Sequence, residues 1–208
     1  MAHQSPDLLQ RYFYYLPKQH NQLTKNTLSN IKILKNMKKF LALSLVLFVF
    51  SCAFPSTKDG MTIMDYKSPK RVGEKIFVKE SKGGSITWPF WTSEIPNDNF
   101  TAAVKDSLLN SQAFSTLTDK WDENWGLEIE IVDVDQPLIG ADLTVKTFIK
   151  YTLYLKGKKV YEKFIQEKGV ATMEDTLLAI KRLRLANENS AKANIAKFIE
   201  ELSKQNLN

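Results

Sequence analysis

The chain has 208 residues, 43% of them hydrophobic and 11% aromatic, which is enough apolar content for one domain with its own core and more than a disordered chain carries. Its net charge of +6 sits at the start: residues 1–51 hold seven of the 29 basic residues and one of the 23 acids, leaving 22 of each sign in 52–208. A nucleic-acid surface needs surplus cations in the folded domain and is excluded; because both histidines (His3, His20) precede the lone Cys52, the rest of the chain has no Ser-His-Asp or Cys-His nucleophile pair, no Cys/His zinc site and no internal disulfide.

Residues 1–36 carry an aromatic cluster (Tyr12 to Tyr15) and an Asn/Lys-rich stretch without sustained periodicity. Met37 is followed at once by Lys38-Lys39, so translation is expected to start there, with 1–36 as a long leader in the alternative. Residues 40–50 form an apolar stretch of eleven residues. That is too short to span a hydrocarbon core, which takes about 20 residues, and it suits the middle of a signal peptide. Val49-Phe50-Ser51-Cys52 resembles the lipobox of bacterial lipoproteins, with an aliphatic residue at −3, a small one at −1 and then the modified cysteine; Phe50 departs from the usual small residue at −2. The resemblance implies cleavage before Cys52, diacylglycerol on its sulfur and an N-acyl chain such as palmitate. Ala53 in second place implies outer-membrane placement by the enterobacterial rule. The expected organisation is therefore 37–51 signal peptide, 52–70 lipidated tether with Pro55, Gly60 and Pro69, and 71–205 a single periplasmic domain.

Along that domain, alternation predicts a first strand over Val72–Glu80, with Ile76 and Val78 on one face and Lys75, Phe77 and Lys79 on the other. Ser81 to Ser85 reads as a loop. It is glycine-rich but lacks the spacing of a phosphate loop, so no nucleotide or other cofactor is expected. Ile86–Ile95 holds the aromatic cluster Trp88-Pro89-Phe90-Trp91, made irregular by its prolines. Asn97 or Asp98 is the expected N-cap of a helix over 98–112. A loop with Trp121 and Trp125 leads to the alternating Leu127-Glu128-Ile129-Glu130-Ile131, after which Val132 and Val134 change parity, as at a bulge. Leu143 to Leu155 alternates through a long half-buried strand. Gly157-Lys158 turns the chain, and Val160–Ala171 returns as its hairpin partner. Thr172 to Asp175 has the form of a capping box for a last helix, whose apolar stripe is Leu177, Ile180, Leu183, Ala191, Ile195, Phe198 and Leu202. The polar run Asn187 to Ser190 is expected to bend or interrupt it. The fold class is thus α+β: an antiparallel sheet of about four strands, in the order β-α-β-β-β-α, with two helices packed on one face.

Few residues offer chemistry. Asp133 and Asp135 share a strand face, with Asp142 nearby. They could bind Ca²⁺ or act as acid and base, though surface carboxylates beside a turn are ordinary and no calcium-loop pattern is present. Trp88, Phe90 and Trp91 could dock a partner or ligand, or close the sheet's open end. Lys181, Arg182 and Arg184 form a basic cluster, read as a solvated helix face rather than a contact with anionic lipid. Trp121 and Trp125 read as packing residues.

Anchor, tether, α+β domain, the hairpin Tyr154 to Tyr161 and the closing helix together resemble a group of periplasmic lipoproteins. That group includes the auxiliary lipoproteins of ABC-type transport systems and the lipoprotein partner in lipopolysaccharide assembly. The resemblance covers 70–205 as an arrangement of elements and carries over no site residue except Cys52. It implies a non-enzymatic protein of the outer membrane that faces the periplasm, held by lipid on Cys52 and working through an envelope protein partner. A binding module for lipid, glycan or peptidoglycan on Trp88–Trp91 is the alternative, and a hydrolase built on Asp133, Asp135 or glutamates is a third reading.

Overall fold

The computed structural model describes residues 54–87, 92–121, 125–137 and 139–206, within a compact unit spanning Ser51–Asn208. Its elements are α1 (Lys58–Met61), β1 (Gly73–Val78), α2 (Asn97–Asn110), β2 (Phe114–Leu117), β3 (Trp125–Asp135), β4 (Leu143–Leu155), β5 (Lys158–Ala171) and α3 (Ala179–Lys204). The strands form one sheet in the order β2-β1-β3-β4-β5. The α+β class holds, but the sheet has five strands rather than four and is mixed rather than antiparallel. β1 lies between β2 and β3 and runs parallel to both, while β3, β4 and β5 form an antiparallel meander. Parallel neighbours need a crossover, and α2 supplies it between β1 and β2. The sequence hid β2 because only four residues pair, and the two in its middle, Ser115 and Thr116, are polar and exposed.

One face of the sheet is packed against the helices; among the described residues the other carries no helix, and Trp121 covers part of it. Ile76 and Val78 of β1, Leu127, Ile129 and Ile131 of β3, and Ile149, Tyr151 and Leu153 of β4 point into a core closed by Phe100, Val104 and Leu108 of α2 and Ile195, Phe198 and Ile199 of α3. The period of two in the strands and the 3.6-residue stripe in the helices meet on that side. The parity change in β3 is a register shift between Ile131 and Asp133, which returns Val134 to the packed side. Lys156 and Gly157 turn the β4–β5 hairpin, both at positive φ (50° and 74°), the backbone hand that suits a two-residue turn between twisted strands.

Helix ends departed from expectation. Pro96 occupies the N-cap of α2 and makes no side-chain capping bond, since Asn97 is already helical. Thr172 and Asp175 do bond as a capping box would, the Asp175 carboxylate accepting from the Thr172 amide at 2.7 Å, yet they close only a local turn. Helix α3 starts four residues later, at Ala179.

Tyr151 stacks on Phe198 with ring centroids 4.0 Å apart and planes within 6°. Its hydroxyl is buried without a partner, and burial pushes its pKa well up. An unpaired buried hydroxyl costs stability, so Tyr151→Phe is expected to stabilise the protein by about 1 kcal/mol. Urea unfolding midpoints measure it; a midpoint that falls would show that the hydroxyl is bonded.

Candidate functional site

Helix α3 carries a polar row on its buried side: Asn187, Glu188, Ser190 and Asn194 are all in the interior. The helix runs straight through them because each has a tertiary partner. The Asn187 amide donates to the Ser93 carbonyl at 2.8 Å, and Gln136 donates to both that carbonyl and the Asn187 oxygen at 3.1 Å. Ser190 donates to the Glu167 carbonyl at 3.0 Å, and Asn194 to the Ile165 and Thr147 carbonyls at 2.9 and 3.1 Å. The signal for this was present in the sequence: Asn187, Ser190 and Asn194 fall on the same helical stripe as Leu183 and Phe198.

Glu188 holds down the start of the domain. One of its carboxylate oxygens accepts from both the amide and the hydroxyl of Thr57 at 2.8 Å, and Arg184 lies 3.6 Å away. Thr57 in turn accepts from the Gly60 amide and so caps α1. Gly60 has no side chain because Glu188 occupies that space: a Cβ there would lie 2.3 Å from the carboxyl carbon. The Ser56 amide donates to the Glu94 carbonyl, and Ser56, Met61, Thr62 and Ile63 are buried. The expected tether over 52–70 is therefore corrected across 56–63. A stretch with proline, glycine and polar residues reads as a linker, but its hydrogen bonds and Met61 and Ile63 fasten it to α2 and α3.

Two of the sequence-derived groups, Cys52 and the trio Trp88, Phe90 and Trp91, lie outside the described residues. Asp133 and Asp135 are exposed on the open sheet face; Asp135 pairs with Lys146 at 3.2 Å, and Asp142 sits apart in the β3–β4 loop. No three potential metal ligands converge among the described residues. The same face carries the pairs Lys79–Glu128 at 2.7 Å and Lys150–Glu130 at 3.4 Å, around a shallow depression. A hydrogen bond from Lys79 holds the Glu128 carboxyl below the ordinary carboxylate range. A general acid needs the opposite shift, so this depression offers ion pairs rather than a proton donor. The basic cluster splits: Lys181 is exposed, Arg184 is half-buried beside Glu188, and Arg182 is buried. Arg182 was expected on a solvated face. Its guanidinium instead turns inward to donate to the Thr176 and Leu177 carbonyls at 2.8 and 3.0 Å. Trp121 and Trp125 pack as expected, but from a loop and a strand: Trp121 lies against Phe77 and Tyr154, and Trp125 against Phe114.

The end of the domain formed by the last residues of β3 and β5 and the first of β4, α2 and α3 is different in character. A pocket of ≈ 300 Å³ opens there between Thr92, Pro137, Ile139, Gly140, Leu143 and the first turn of α3. Near it Ile139 is 93% and Leu177 77% exposed, with Leu178 and Phe54 also exposed. These side chains are held on a firm base. Arg182 ties the segment before α3 to the β3–β4 loop through the Gly140 carbonyl at 3.5 Å, and Ser93 ties down the Phe54 carbonyl at 2.7 Å. Exposure of Leu177 removes it from the expected helical stripe, because α3 has not yet begun there.

No protein-family model matches the chain, and no curated protein matches it in sequence. Among solved structures it is similar to a Xanthomonas campestris protein of the DUF330 family, with a TM-score of 0.49 and 8% identity over 73% of this chain and 92% of that one. A Caulobacter crescentus protein provisionally named a lipoprotein gives 0.41 and 12% over 70% and 91%. A minor lipoprotein of Acinetobacter baumannii gives 0.42 and 8% over 62% and 92%. At these scores and identities no residue role passes from those proteins to this chain.

Proposed function

We propose that this chain is a lipid-anchored protein of the bacterial cell envelope, held by acyl chains on Cys52, with a non-catalytic role carried out through contact with an envelope partner. The observation that carries the reading is the run from Met37 to Cys52: two lysines, an eleven-residue stretch that is apolar except for Ser44, a small residue and then the lone cysteine. Its placement adds support, since packed structure starts at once afterwards, with Ser56 buried. The charge balance is compatible with it, since Lys38 and Lys39 head the export segment, the rest of the basic excess lies before Met37, and 52–208 is neutral.

The side chains present support an accessory rather than an enzymatic role. From Cys52 onward no histidine and no second cysteine occur, and the exposed carboxylates are spread along the open face in pairs with lysines. Ala53 favours the outer membrane, with the domain facing the periplasm. Among the described residues, the face of β3–β5 opposite the helices and the long edge of β5 offer surface to a partner. Globomycin, which blocks the lipoprotein signal peptidase, is expected to leave a precursor about 15 residues longer than the mature form, the length of a typical signal segment. Normal processing under the drug, read by immunoblot, would remove the basis for the anchor.

A further inference from the structure

Exposed apolar side chains also occur elsewhere, at Met64, Val132 and Phe164, but at the loop end Ile139, Leu177 and Leu178 are brought onto neighbouring loops. Ile139 and Leu177 sit on different loops, yet Arg182 bonds to the backbone of both loops, and the pocket that Ile139 helps to line is mainly apolar. Phe54 joins them through Ser93, which neighbours Thr92 in the pocket wall.

We propose that this end, with Ile139, Leu177, Leu178 and Phe54 at its rim, is a second membrane contact that lies in the boundary between phospholipid headgroups and acyl chains. The inference rests on the reading of Cys52 as the lipid attachment point. The position of the chain start selects a lipid surface over a protein. Cys52 stands two residues before Phe54, a reach of about 7 Å even when fully extended. With Thr57 clasped by Glu188 and Ser56 bonded to Glu94, the chain has no slack further on. Acyl chains leaving Cys52 therefore enter the bilayer beside these side chains, and an aliphatic rim held on a firm base buries itself there rather than facing water. The formal charges in these segments are mixed, with Asp142, Glu174 and Asp175 against Lys181 and the buried Arg182, so anionic headgroups are not the attraction.

The test uses the whole lipidated protein, in which a thiol introduced on the surface is the free one. Ile139→Cys, Leu177→Cys and, at the opposite end, Lys158→Cys are each labelled with an environment-sensitive fluorophore. The labelled proteins are reconstituted into vesicles of phosphatidylcholine, with and without phosphatidylglycerol, containing nitroxide-bearing lipid. Burial of roughly 5–10 Å into the boundary predicts quenching at 139 and 177 at least about threefold stronger than at 158, and equal in both lipid mixtures. Equal quenching at the two ends, or none at 139 and 177, overturns the proposal. So does a fluorescence shift that appears with protein concentration in the absence of vesicles, which would assign the face to a second copy of the chain. Label stoichiometry keeps the anchor separate: two thiols per chain would show Cys52 unmodified, and the same three positions in a Cys52→Ser background then decide the face alone.

Discussion

A Cys52→Ser protein is expected to take up no labelled palmitate and to run as an unprocessed precursor, and the same domain freed of its export segment is expected to be released from membranes by washing. The expected change is large. One myristoyl-length chain gives an association constant on the order of 10⁴ M⁻¹, and two or three chains compound it to effectively permanent residence. Removing all of them should lower membrane retention by at least about a thousandfold. Serine keeps the size and polarity of the side chain but offers a hydroxyl in place of the nucleophilic sulfur, so loss of label isolates the thioether. The buried residues nearest in sequence begin at Ser56, so the core is not disturbed. Weak, reversible vesicle binding by the unlipidated chain is compatible with the aliphatic loop end. Palmitate incorporation that survives the substitution would sink the anchor reading.

Gly169→Val is expected to be strongly destabilising. A Cβ at this β5 position would stand 2.1 Å from the Ser190 amide nitrogen, 2.5 Å from the Ala186 carbonyl oxygen and 2.6 Å from the Asn189 carbonyl carbon. All three are backbone atoms of α3, which cannot rotate aside as a side chain would. To admit the residue, the helix must lift from β4 and β5, and the bonds from Ser190 to Glu167 and from Asn194 to Ile165 stretch with it. Overpacking of this kind costs about 3 kcal/mol or more, set against a total stability of about 5–15 kcal/mol. A fall in Tm of about 6–12 °C is the corresponding readout for a domain of this size. An unchanged Tm would mean that α3 has another seat on the sheet.

The seat of α3 also shows where sequence reasoning succeeds and where it stops. Long regular alternation is legible: β4 was expected over 143–155 and is found there, and the parity change after Ile131 marked a real register shift. Both signals come from many residues repeating one local preference. β2 has four residues and its parallel pairing with β1 is set by the crossover through α2, which no local pattern records. The start of α3 was misplaced because Thr172 and Asp175 make the bonds of a helix cap in a simple turn. The polar run Asn187 to Ser190 reads as a bend or interruption, since the partners Ser93, Gln136 and Thr147 that keep this side of the helix satisfied lie about 40 to 100 positions away in the chain, beyond any periodicity. The candidate site was less legible still. Cys52 is proposed from sequence alone, whereas the apolar rim is assembled from residues near 54, 139 and 177, each unremarkable by itself.

The clasp of Glu188 on Thr57 sets how far the protein can reach. With fatty chains on Cys52 the domain has no leash: it cannot swing out on a linker, and it tilts only as its patch of bilayer tilts. Strand β4 runs 13 residues from the loop end to the Lys156–Gly157 turn, about 43 Å at 3.3 Å per residue. Its far tip would then stand at a nearly constant height above the lipid. A partner would have to come to that height, as to a post of fixed length.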